Sequence, residues 1–234
     1  MNVVVAGAHQ DRFNARRIVM FMGHYGVSFA AKPAHKALPL WLCFLAVQWL
    51  DFWWGGLVIA GVEKFRIGPG GLEFYYMPYS HSLPGALALS ALLGLIAAAF
   101  WAPRWRTFLI VAVLAFSHWL ADLVVHLPDL PLYGDSYKFG FALWKYPMIS
   151  LPLEIGMLWA GAIVYAYFVR AGSALRAVWL WAFVALLTFE QLNVSFGWFG
   201  PMFAEPKAIA GLSLSIWLIA TVLAGACGPD AESP

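Results

Sequence analysis

Residues 107–127, TFLIVAVLAFSHWLADLVVHL, decide how the rest of the chain is read. At 1.5 Å per residue the run is about 31 Å long, close to the roughly 30 Å of a bilayer's hydrocarbon core. Its first ten residues are almost wholly apolar, as a membrane-crossing helix requires. Its second half carries His118, Asp122 and His126 at i, i+4 and i+8, which puts all three on one helical face. Ionisable groups at membrane depth are expensive, so a face carrying three of them marks a candidate functional site.

Similar apolar runs lie on either side. Helices are predicted at about 20–31, 37–60, 82–102, 107–127, 148–169, 176–194 and 206–227, which gives an all-α, polytopic transmembrane helix bundle of six to seven helices. The composition agrees: 62% of residues are hydrophobic and only 11% charged, a balance no ordinary soluble domain has. Trp53, Trp54, Trp101, Trp105 and Tyr146 near the helix ends suit an interfacial aromatic belt. The formal charge of +2 and its scattered Lys and Arg give no nucleic-acid footprint. Cys43 and Cys227 lie in apolar runs and read as small buried hydrophobes rather than a disulfide. Residues 1–19 read as a polar, disordered extension, 20–227 as a single transmembrane domain and 228–234 as a disordered tail. A rival reading makes Arg16 to Ala30 a signal peptide, although Gly23, His24 and Gly26 interrupt its apolar middle.

Depth along the bundle can be counted from the connections, which alternate in kind. Short basic turns (Lys32 to Lys36, Pro103 to Arg106, Arg170 to Arg176) alternate with long mixed loops (Glu63 to His81, Leu127 to Pro147, Val194 to Pro206). Counted from the short turns, His24, Asp51, His118, Asp122, His126, Glu154 and Glu190 all fall in the half of the bundle that bears the long loops, where His81 opens a helix. Imidazole nitrogen and carboxylate oxygen are both zinc ligands, so His24, Asp51, His81, His118 and Asp122 form a candidate metal set, enough for one closed site or for a pair of ions with an open position. Taken singly, His126 and His35 read as interhelical hydrogen-bonders. Glu154 and Glu190 read as second carboxylates: partners of the ligands, a general base, or groups paired with Lys145 and Gln191. Asp122 and Glu154 are the candidate catalytic residues.

These residues also carry a resemblance. Gly23-His24, Leu50-Asp51, Ser80-His81-Ser82-Leu83 and Ser117-His118-Trp119-Leu120-Ala121-Asp122, followed by Pro128 to Leu132, resemble in order and helical placement the motifs of predicted inner-membrane metal-dependent hydrolases. That group includes the LexA-binding hydrolase. The likeness spans roughly residues 22–132. The family's aspartate motif resembles Leu-Pro-Asp-Ile-Asp-His, of which this chain keeps Asp51; its His-Arg-Gly-x-Thr-His element stands here as Met77-Pro78-Tyr79-Ser80-His81. One metal ion is therefore implied more directly than two.

The resemblance implies an enzyme of the bacterial inner membrane that hydrolyses a lipid or other amphipathic substrate with a water activated by a divalent metal, zinc above all. Two other classes fit the same residues: a transporter or channel whose buried His and carboxylates relay protons or bind a solute, and a structural membrane protein in which they are internal glue. No inverted repeat of the transporter kind is visible. The six Lys and Arg of the short turns make those turns cytoplasmic and the site outward-facing, whereas Arg12, Arg16 and Arg17 argue the reverse.

Overall fold

The computed structural model describes residues 22–68, 71–169, 173–198 and 205–227. The expected polar extension at 1–19, the tail at 228–234 and residues 170–172 of the basic turn lie outside them. The described chain is mostly helical: α1 (His24–Ala31), α2 (Leu40–Val47), α3 (Trp49–Ile59), α4 (Leu83–Phe100), α5 (Arg104–Val125), α6 (Pro147–Val169), α7 (Ala174–Phe196) and α8 (Pro206–Cys227). Five of these, α4 to α8, are long and apolar enough to cross a membrane, and α2 with α3 makes a sixth as one bent span. Such a set is the make-up of an integral membrane protein.

Local sequence explains several helix ends. The Ser82 hydroxyl accepts from Gly85 N–H at 3.2 Å and Pro84 sits in the first turn, so α4 starts immediately after His81. Ser173 caps α7 in the same way, and Gly197, at φ +62°, closes it in the left-handed conformation that glycine adopts without strain. The single helix expected over 37–60 is instead broken at Gln48, where the two halves bend by 55°. Gln48 is buried, and its N–H still reaches the Phe44 carbonyl at 3.2 Å, so the bend leaves this donor satisfied.

Two glycines set the closest crossing. A side chain on Gly26 of α1 would lie 2.1 Å from the Met157 carbonyl oxygen of α6, and one on Gly161 would lie 2.0 Å from the Gly26 carbonyl oxygen. Backbone therefore meets backbone, the small-residue packing by which membrane helices gain dispersion contacts without a hydrophobic driving force. Residues 24–31, part of the stretch that could be read as a signal peptide, are thus an inner element of the bundle. Around them Phe29, Phe44, Tyr165 and Phe183 form an aromatic core, with ring centroids 4.9 to 6.4 Å apart for the Phe29 pairs. Cys43 and Cys227 are both buried and free.

The long loops are not irregular. Each of the first two contains an antiparallel hairpin, β1 (Lys64–Gly68) with β2 (Gly71–Tyr76), and β3 (Leu130–Tyr133) with β4 (Ser136–Phe139). These hairpins depart from the all-α expectation. Phe65 and Phe74 pair across the first hairpin and pack on Trp54, with centroids 5.2 and 5.6 Å away. Lys138 Nζ of the second donates to the Tyr75 carbonyl of the first at 2.6 Å. Together they roof the polar end of the bundle.

Candidate metal centre

Beneath this roof lies a cavity of about 50 Å³. His24, Asp51, His81, His118 and Asp122 all line it, and so does His126. Its other walls are apolar and largely aromatic, among them Trp54, Phe74, Trp144 and Trp217. The lining contains two carboxylates and neither Lys nor Arg.

Four groups converge most closely. His81 Nε2 lies 3.4 Å from Asp51 Oδ1 and 3.4 Å from Asp122 Oδ2; His118 Nε2 lies 3.4 and 3.2 Å from the same two oxygens. A charge-assisted N–H···O bond would be about 2.7–2.9 Å long, so these contacts are longer than the bonds such a charged pair prefers. An ion about 2.0–2.1 Å from tetrahedral N and O ligands instead sets them roughly 3.3–3.4 Å apart. These four N···O separations have the length of polyhedron edges. Consistently, His118 Nε2 and Asp122 Oδ2 are buried and make no hydrogen bond among the described residues. His24, His118 and Asp122, and likewise Asp51, His81 and His118, could each hold a metal ion.

Other bonds aim the ligands. Ser80 Oγ donates to Glu63 Oε2 at 2.5 Å, so the 2.7 Å contact between His81 Nδ1 and Ser80 Oγ uses the imidazole N–H. That leaves the Nε2 lone pair facing the cavity. Glu63 is itself fixed by the N–H groups of Tyr79 and Ser80, both 2.9 Å from Oε1. The Trp119 indole donates to the His81 carbonyl at 2.8 Å. Asp51 Oδ2 accepts from the Gln48 amide, so the break in the bent span and the orientation of Asp51 share one residue. A carboxylate–imidazole relay of this kind fixes the tautomer a metal needs. Burial opposes protonation of His81, but Asp122 and Asp51 outweigh it and raise its pKa to about 9. In the metal-free chain a proton on His81 answers the carboxylates that a cation would otherwise answer.

Glu154 is not among the cavity-lining residues. It is buried on α6, its backbone against Gly23 and its Oε2 without a hydrogen-bond partner among the described residues. Its neighbourhood is the start of α1, where Met22 N–H reaches Gln191 Oε1 at 2.9 Å. Glu190 accepts from Asn193 Nδ2 at 3.4 Å. His126, read as a hydrogen-bonder, does bond Asp129 Oδ1 through Nδ1 at 2.9 Å, but its Nε2 faces Asp122 Oδ1 at 3.8 Å. Its i+4 spacing from Asp122 was the signal. Glu63 had none: it lies in a loop and reaches the site only through a tertiary turn.

Comparison of the chain with protein-family models, with curated proteins and with solved structures finds no match.

Proposed function

We propose that the chain is a metal-dependent hydrolase of the bacterial inner membrane, acting on a lipid or other amphipathic substrate, as its likeness to the predicted inner-membrane hydrolases implies. The observation that carries this reading is the open spacing of His81 and His118 Nε2 about Asp122 Oδ2, at 3.4 and 3.2 Å, with Asp51 Oδ1 3.4 Å from both nitrogens. The donor set of imidazole and carboxylate suits zinc. A bound divalent ion supplies Lewis-acid activation of water and of the scissile bond.

The residues divide the remaining work. His81, His118 and Asp122 are the ligands, a two-histidine, one-carboxylate set of the kind found in zinc hydrolases. Asp51, whose side chain is 19% exposed against 5% for Asp122, is the group that solvent reaches. It takes the proton of the attacking water and returns it to the leaving group. Trp54, Phe74, Trp144 and Trp217 offer the substrate's apolar part a wall that excludes competing water. The 55° break beside Asp51 is the feature that favours the alternative, a carrier whose broken helix binds a solute.

Elemental analysis of the detergent-purified protein tests the metal. Stoichiometric zinc or another divalent ion in the wild type, lost in His118→Ala, is expected; a wild type without stoichiometric metal overturns the proposal. Chelator-sensitive cleavage of a micellar fluorogenic ester lipid is the expected activity. Metal-independent solute flux in proteoliposomes, with no cleavage, would favour the carrier instead.

A further inference from the structure

Asp122 presents its two oxygens to two different pairs of imidazoles. Oδ2 faces His81 and His118 at 3.4 and 3.2 Å, whereas Oδ1 faces His24 Nε2 at 3.6 Å and His126 Nε2 at 3.8 Å. Both distances on the Oδ1 side exceed a hydrogen bond, and an ion that drew the nitrogens in by about 0.2–0.5 Å would bring them to a polyhedron edge. We propose that the centre takes a second divalent cation, held by His24, His126 and Asp122 Oδ1, with the Asp122 carboxylate bridging the two ions. This rests on the reading of His81, His118 and Asp122 as ligands of the first.

Three further observations bear on it. His126 Nδ1 is committed to Asp129 Oδ1 at 2.9 Å, which turns the Nε2 lone pair inward and repeats, with a carboxylate in direct contact, the Glu63–Ser80–His81 relay on the other side. His126 is held there by its neighbours: its ring lies 4.3 Å from Trp144 and 5.2 Å from Phe74, and its N–H is bonded to the Asp122 carbonyl at 2.8 Å. The cavity of about 50 Å³ is several times the roughly 10–15 Å³ that one water-sized occupant needs, so two ions and solvent fit. His24 Nε2 also lies 3.4 Å from the His118 carbonyl oxygen, a long contact that a cation would replace with a shorter bond. Two-ion centres commonly hold their ions about 3.5–4 Å apart, the separation a bridging carboxylate provides.

The test loads metal-free protein in detergent with Mn2+, removes excess by desalting, and reads both stoichiometry and electron paramagnetic resonance. Two Mn2+ per chain with an exchange-coupled spectrum are expected in the wild type. His126→Ala should hold one Mn2+ with the spectrum of an isolated ion. Asp129→Asn, a milder change, should weaken the second Mn2+ by about 10–100-fold and leave the first in place. A wild type that saturates at one uncoupled Mn2+, or an Asp129→Asn or His126→Ala protein that keeps two at full affinity, overturns the second site while leaving the first. A wild type that binds none overturns both.

Discussion

His35 and His81 lie toward opposite ends of the bundle and make the same local bond. His35 Nε2 meets Thr107 Oγ1 at 3.0 Å, and that hydroxyl donates to the Trp101 carbonyl at 3.0 Å. His81 Nδ1 meets Ser80 Oγ at 2.7 Å, and that hydroxyl donates to Glu63. In both pairs the hydroxyl proton is committed elsewhere, so an imidazole N–H is the donor and the second ring nitrogen is left to its surroundings. What differs is the company that nitrogen keeps. Lys32 and Arg106 stand near His35, with Arg106 donating to the Ala34 carbonyl at 3.1 Å and Lys32 to the Lys36 carbonyl at 2.5 Å. Asp51 and Asp122 stand beside His81. A hydrogen-bonded buried histidine is thus no sign of a metal by itself; the sign of the surrounding charge separates a structural imidazole from a ligand.

The comparison breaks most completely at Asp122, since both of its oxygens face imidazoles. Asp122→Ala should abolish stoichiometric metal binding, read by elemental analysis, whereas a variant that still binds stoichiometric metal would show that the carboxylate does not organise the centre. A smaller effect is expected from Glu63→Gln. Its amide would donate to Ser80, turn the hydroxyl proton toward His81 Nδ1 and favour the wrong tautomer, weakening metal affinity about 10–100-fold in calorimetric titration. At the other end, His35→Gln should leave metal content unchanged and lower stability by about 1 kcal/mol, the net worth of one hydrogen bond, in thermal unfolding.

The finest test is the pH dependence of that last variant. Burial, then Arg106 and Lys32, hold the His35 pKa below 6.5. The unfolded chain therefore binds the His35 proton more readily, and the stability due to the neutral ring, present above about pH 6.5, is lost as pH falls through and below that value. His35→Gln should accordingly lose less stability than the wild type between pH 7 and 5. Equal losses would mean that the cationic surroundings do not act on this ring.

Sequence made depth legible and azimuth less so. Counting residues from basic turns puts His24, Asp51, His118, Asp122, His126, Glu154 and Glu190 in one half of the bundle with His81, and of these all but Glu154 and Glu190 line one cavity. Glu154 does not, because a residue's level says nothing about which neighbour its helix turns it toward. The crossing of α1 on α6 turns it behind His24. The apolar spans were legible because length and composition alone define them. The break at Gln48 was not, since neither Pro nor Gly marks it and the backbone bonds across it persist. The hairpins were hidden for another reason: they are short and held by tertiary packing, the first on Trp54 and Trp144 and the second through Leu130 beside Leu50 and Trp119, so their strands carry little period of their own.

The Gly26–Gly161 crossing has a bearing on how the protein is made. His24 comes early in the chain, but its seat is built by Glu154, Met157 and Gly161, which leave the ribosome more than a hundred residues later. His24 meets α5 directly, with Asp122 Oδ1 at 3.6 Å and the His118 ring 4.4 Å away, whereas the backbone contacts of Gly23 and Gly26 form only with α6. Synthesis therefore separates two sets of contacts: His24 meets residues of α5 that are made before α6, and the glycine crossing waits for α6 itself. The cavity is closed later still, because Ile209, Ser213 and Trp217 of its wall belong to α8.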